Sequence, residues 1–205
     1  MPDKFQNKYR IPSARLQNWD YGSNAPYFVT ICTKNREHYF GEILDGKMVL
    51  SEIGKIVESE WIKTPEIRPD MNLQMGEFVV MPNHFHAIIV IGENQYNTIR
   101  DTDCMDADCT DVDCRDAMHC VSTDTDTDPK NKFGPQSKNL ASIIRGFKSA
   151  ITTHARKNNV DFAWQPLFHD HIIRNDKSFQ RISNYIINNP SKWTDDKFFT
   201  PKNKC

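Results

Sequence analysis

Two histidines one residue apart, His84 and His86, open an apolar run in the stretch MPNHFHAIIVI, residues 81–91. In an extended strand, residues i and i+2 point to the same face, so the two imidazoles stand side by side as cis ligands for one metal ion. A lone buried histidine is more often a satisfied core residue, but two on one face directly after a Pro-Asn turn argue for a metal. Two ligands do not complete a site. A second pair, His169 and His171 in LFHDHIIR, has the same spacing with Asp170 between them. Spacing alone does not rank the pairs, and all four together would make a hydrolytic metal site that needs no other nucleophile.

The segment SFQRISNYIINN, residues 178–189, reads as a helix stopped by Pro190. Its apolar stripe is Phe179, Ile182 and Ile186. Tyr185 shares another face with Arg181, Asn188 and Asn189, because helix neighbours lie three and four apart. Alone, such a tyrosine lies flat at the edge of a core. Beside a guanidinium and carboxamides it also suits attack on phosphorus, provided that a metal ion polarises the phosphoryl oxygen. Asn189, one turn beyond Tyr185, is spaced to offer that ion an oxygen.

The elements that must hold these groups follow from periodicity. Residues 27–33, YFVTICT, are β-branched and aromatic, a strand. Residues 39–50, YFGEILDGKMVL, carry Asp45-Gly46 between two short apolar runs, the chemistry of a tight hairpin turn. Ser51 caps a helix in which Ile53, Ile56, Val57 and Trp61 recur at helical spacing. Residues 73–80 and 85–91 form two strands joined at Met81-Pro82-Asn83, the second apolar on both faces and therefore central. Residues 139–158 predict a helix with the stripe Leu140, Ile143, Ile144, Phe147 and Ile151. Arg145, Lys148 and Arg156 lie largely off that stripe. Residues 167–174 alternate like a strand before the last helix. The order implies one α+β domain, a ferredoxin-like sandwich whose mostly antiparallel sheet is covered by helices.

Charge is unevenly spread over the 205 residues. The net charge of −1 hides a segment, residues 101–129, with ten Asp, no Glu and Arg115 as its one basic residue, a local −9. The remainder, residues 1–100 and 130–205, carries +8. A basic body favours a polyanionic partner, because neutralised phosphates release counterions. The acidic segment repeats as DTDCM, DADCT, DVDCR and DAMHC and holds Cys104, Cys109, Cys114 and Cys120. It has too few large apolar residues to offset chain entropy and reads as a disordered insert, with no apolar surroundings for a zinc site. The polar start lacks a secretory signal and no apolar run approaches a membrane span. These features predict a cytoplasmic protein with reduced thiols and no membrane partner.

The stretch MPNHFHAIIVI resembles the histidine, hydrophobe, histidine motif of HUH single-strand nucleases, with Phe85 in the middle position. NYIINNP resembles the tyrosine helix of the transposase branch. The opening RIPSARLQNWDYGSNAPYFVTICT, with FHDHIIR and a YIxxNP pattern, is most similar to the REP-associated tyrosine transposases, over residues 10–193 apart from the acidic insert. The resemblance implies that Tyr185 attacks a phosphodiester of single-stranded, hairpin-bearing DNA. A 5′-phosphotyrosine and a free 3′-hydroxyl result, and the hydroxyl can later reverse the step and transfer the strand. His84, His86 and Asn189 carry over as ligands of Mg²⁺ or Mn²⁺, with imidazole favouring Mn²⁺. One nucleophilic tyrosine per chain means that excision needs a homodimer or two successive rounds. His169 and His171 would then shape the site or touch DNA. Arg145, Lys148 and Arg156 would meet the DNA backbone, Arg181 would also bind DNA, and Arg10, Arg15 and Trp19 would bind a folded DNA end. Two rivals remain: the four-histidine hydrolase, and a module that binds DNA without cutting it.

Overall fold

The computed structural model describes residues 19–98 and 137–200, with residue 16 and the backbone of two short strands, β1 (Lys4–Phe5) and β2 (Lys8–Tyr9). The acidic insert, Arg10 and Arg15 lie outside the described residues. The main sheet has four antiparallel strands, ordered β6 (Leu73–Met81), β7 (His84–Ile91), β3 (Ala25–Cys32) and β8 (His169–Ile172). A separate hairpin pairs β4 (Gly41–Leu44) with β5 (Lys47–Leu50). Its turn residues Asp45 and Gly46 both take left-handed backbone, φ 51° and 72°, as an Asp-Gly hairpin turn requires.

The apolar character of β7 follows from its place between β6 and β3: seven of its eight residues are buried. Alternate side chains go to opposite layers. Phe85, Ala87, Ile89 and Ile91 enter the larger core with Tyr27, Val29 and Ile31 of β3. Helices α1 (Glu52–Ile62) and α3 (Leu140–Lys157) cover that face, and Trp61 packs edge-on against Phe85 and Phe147 at 5.0 and 5.1 Å. Helix α1 starts after the Ser51 cap that the sequence places, and α3 after Asn139. Ser51 Oγ accepts from Gly54 N, and Asn139 forms a capping box with Ser142. The expected stripe Leu140, Ile143, Ile144, Phe147 and Ile151 is buried throughout.

The other face carries His84, His86 and Ile88 of β7 with Phe28, Thr30 and Cys32 of β3. Helix α4 (Asp176–Asn188) lies over it, and Ile182 and Ile186 form a second core with Ile88 and Ile173. Pro190 ends the α-helix, but the chain continues at once as a 3-10 helix, Pro190–Asp195, a continuation that an i, i+3 pattern of apolar residues does not announce. A one-turn helix, α2 (Thr64–Ile67), also escapes the sequence pattern. No helix among the described residues is long and apolar enough to cross a membrane.

Candidate metal and tyrosine site

Register puts the histidine pair under α4. His84 and His86 face Cys32 and Thr30 across the β3–β7 ladder. His84 is 0% and His86 1% exposed, and their rings meet at 4.5 Å. Each Nδ1 is engaged. Asn83 Oδ1 lies 2.9 Å from His84 Nδ1. The Asn83 amide is oriented by its nitrogen, which donates to the Phe198 carbonyl at 2.9 Å and the Arg36 carbonyl at 3.3 Å. Its oxygen therefore accepts from His84 Nδ1–H, and the proton on Nδ1 leaves Nε2 a free lone pair. That buried Nε2 has no hydrogen-bond partner. His86 Nδ1 meets Thr30 Oγ1 at 2.8 Å, and its Nε2 lies 3.1 Å from the Tyr185 phenol.

Asn189, at the C-cap of α4, is 3% exposed and its Oδ1 is likewise buried without a partner. Its amide nitrogen donates to Asp196 Oδ2 at 3.0 Å, and the Tyr185 hydroxyl donates to the same oxygen at 3.2 Å. Ligand atoms of His84, His86 and Asp196 lie within 4.8 Å of one another. Two orphaned buried acceptors, a second imidazole and a carboxylate thus converge. The set fits a divalent cation, with two imidazole nitrogens and two oxygens as donors. Asp196 was not legible as a site residue. It follows the 3-10 turn after Pro190, where no period links it to Tyr185.

Electrostatics match the geometry. Burial pushes the His84 pKa well below the ordinary imidazole value, helped by His86, Arg36 and Lys197, and burial lowers His86 to about 3. Both rings are neutral, as metal ligands must be. Tyr185 is 41% exposed, and burial of its hydroxyl together with the Asp196 charge raises its pKa to about 12. Its ring packs edge-on against His86 at 5.3 Å and Phe28 at 6.2 Å. Trp193 and Phe198 close over His84, with centroids at 5.9 and 4.7 Å.

The second histidine pair shares this face but not this cluster. His169 pairs with Thr30 and His171 with Phe28, so His169 sits two strand spacings of about 4.8 Å each from His86. Among the described residues the cluster of ligand atoms holds His84, His86 and Asp196 and neither His169 nor His171, so the four histidines do not form one centre. His171 instead joins Arg174 and Arg181 around a cleft of about 480 Å³. Lys148 is engaged internally, donating to the carbonyls of Gln165 at 2.8 Å and Leu167 at 2.9 Å. The Trp19 indole donates to Tyr27 OH at 3.2 Å and packs on the larger core. Arg145, on α3, belongs to the opposite layer from Tyr185, near Arg68.

No family model matches the chain. Among solved structures, a REP-associated tyrosine transposase bound to a REP hairpin is similar, with TM-score 0.52 and 18% identity over 89% of this chain and 74% of that one. That likeness establishes a shared fold. A putative transposase from Deinococcus radiodurans, covering 87% of this chain and 96% of its own at 13% identity, has TM-score 0.35, too low to add to the fold assignment. An uncharacterised protein of Haemophilus influenzae is 35% identical over 188 residues, which is 91% of this chain and 92% of that protein. By that measure the chain belongs to the same family as the Haemophilus influenzae protein.

Proposed function

We propose that this protein is a metal-dependent tyrosine transposase, an enzyme that cuts and rejoins single-stranded DNA at hairpin-bearing ends. One observation carries the reading: the Tyr185 hydroxyl lies 3.1 Å from His86 Nε2 and 3.2 Å from Asp196 Oδ2, against a buried cluster with two unsatisfied acceptors. A tyrosine packed for stability alone does not need that company.

His84, His86, Asn189 and Asp196 would hold the ion, which when bound draws charge from a non-bridging phosphate oxygen and eases formation of the phenolate. The protein's own groups do the rest. Asp196 fixes the phenol by accepting its hydrogen bond, and Phe28 and His86 fix the ring. Tyr185 Oη forms a bond to phosphorus as the bond from phosphorus to the 3′-oxygen breaks. The phenol proton passes to solvent, and the departing 3′-oxygen takes up a proton to become a hydroxyl. Reversal with another 3′-hydroxyl rejoins strands without an external energy source. The REP hairpin in the similar structure makes a hairpin-bearing single strand the first substrate to try.

The test is a panel of labelled hairpin oligonucleotides incubated with the protein and Mn²⁺ and resolved on a denaturing gel. The expected result is a covalent adduct, abolished by chelator and by Tyr185→Phe, while Tyr185→Phe still binds DNA. Cleavage that persists in Tyr185→Phe without an adduct would replace this reading with a hydrolytic one.

A further inference from the structure

Two clefts border the 196–198 segment. One, of about 360 Å³, opens beside Tyr185 and mixes Arg181 and Lys192 with Asp195 and Asp196. The other, of about 320 Å³, is cationic: it lies between residues 165–169 and the pair Arg36 and Lys197, and no acidic residue lines it among the described residues. The cations are organised. The Arg36 guanidinium sits 4.1 Å and the Lys197 ammonium 4.7 Å from the centroid of the Phe198 ring. Among the described residues no ion pair neutralises either.

The opposite wall is apolar and held in place. Lys148 ties down the carbonyls of Gln165 and Leu167. Leu167 takes a left-handed backbone, φ 65°, and leaves its side chain 84% exposed. A bulky aliphatic residue in that conformation is strained, and presenting it to water adds a second cost. Thr30 forms part of the cleft and also hydrogen-bonds His86, so the cleft abuts the tyrosine site directly.

We infer that this cleft holds the nucleotide next to the cleaved phosphodiester, with a backbone phosphate on Arg36 and Lys197 and its base against Leu167 and Phe168. The inference rests on the proposed function and deepens it. Single strands are held by this combination, cations for the backbone and apolar faces for the bases, and it tolerates any base because every base has a face to stack. The cleft beside Tyr185 has mixed charge and suits a polyanion less.

The experiment measures adduct formation by the full chain with Leu167→Glu and Lys197→Glu, and with the milder Leu167→Ala and Lys197→Gln should either glutamate variant melt early. Each variant should raise KM about tenfold with kcat within threefold, and removing the one substrate nucleotide that fills the cleft should erase its difference from wild type. Wild-type KM in all the variants, or an equal loss of kcat on the shortened substrate, overturns the assignment while leaving the tyrosine chemistry intact. Fluorescence anisotropy with a labelled dT oligomer, in the Tyr185→Phe background, separates the two ideas. If wild type forms no adduct but the cleft variants still weaken oligomer binding tenfold, the cleft stands and the tyrosine reading falls. If the oligomer binds equally to all variants, the cleft assignment falls.

Discussion

At the scale of single residues, the candidate site depends on groups outside the cluster of possible ligands. Asn83 sets the His84 tautomer, so Asn83→Ala removes the acceptor that keeps Nε2 free and also releases the Phe198 carbonyl. Loss of such an outer partner costs roughly 10–100-fold in metal affinity, and titration with Mn²⁺ followed by calorimetry measures it; unchanged affinity would mean that His84 is no ligand. The neutral histidines give a second prediction, for the metal-free protein. Both folded-state pKa values lie below the unfolded value near 6.5, so the unfolded chain binds protons first. Stability is whole above about pH 6.5 and falls as pH drops toward 3, by up to about 1.4 kcal/mol per pH unit for each ring. Denaturant melts in chelator at pH 8, 6.5 and 5 check the sign, and the double variant His84→Gln, His86→Gln should flatten the slope. His84, His86, Tyr185 and Asn189 were legible because strand and helix periods put each pair on one face. Thr30, Asn83 and Asp196 were not, because cross-strand register and an irregular turn leave no mark on spacing.

At the scale of elements, the strands and long helices were legible because one face of each must be apolar, and Ser51 marks where α1 begins, whereas the last helix, expected from Ser178, starts two residues earlier behind the Asn175 cap. What spacing does not report is how close two backbones come. Gly54, inside α1, shows the difference. Alanine ordinarily stabilises a helix by about 1 kcal/mol relative to glycine. Here a Cβ would lie 2.2 Å from the carbonyl oxygen of Phe40, a backbone atom that also accepts from Ser51 N. Gly54→Ala should therefore destabilise, by about 1–3 kcal/mol as overpacking does. A raised melting temperature would show that α1 can move away from the Phe40 carbonyl without loss. The same approach explains why the β4–β5 hairpin and α1 pack as a unit: the chain reverses at Asp45-Gly46, returns to Ser51, and starts the helix against the strand it has just left.

At the scale of the whole molecule, opposite charges are carried by separate parts of one chain. The described residues that flank the acidic segment are anchored far from the tyrosine. The chain leaves β7 at Ile91 and is held by Asn97, which donates to Gly92 O and Gly22 O, and it returns where Lys138 pairs with Asp70 and Leu140 N donates to Tyr21 O. These anchors lie at the Ala25–Ile91 end of the sheet, whereas Cys32 and His84 form the other end. Along β7 that is about 23 Å from His84, more than twice the Debye length of about 8 Å at physiological salt. Removing residues 101–129 changes the net charge from −1 to +8 without touching any site residue. The deletion variant should keep its melting temperature and its adduct rate at saturating DNA, yet bind single strands more tightly at low salt, because the body's cations then act unopposed. Affinities measured from 20 to 300 mM salt should converge as screening removes the long-range contribution. A salt-independent loss of adduct formation would instead make the acidic segment part of the catalytic site.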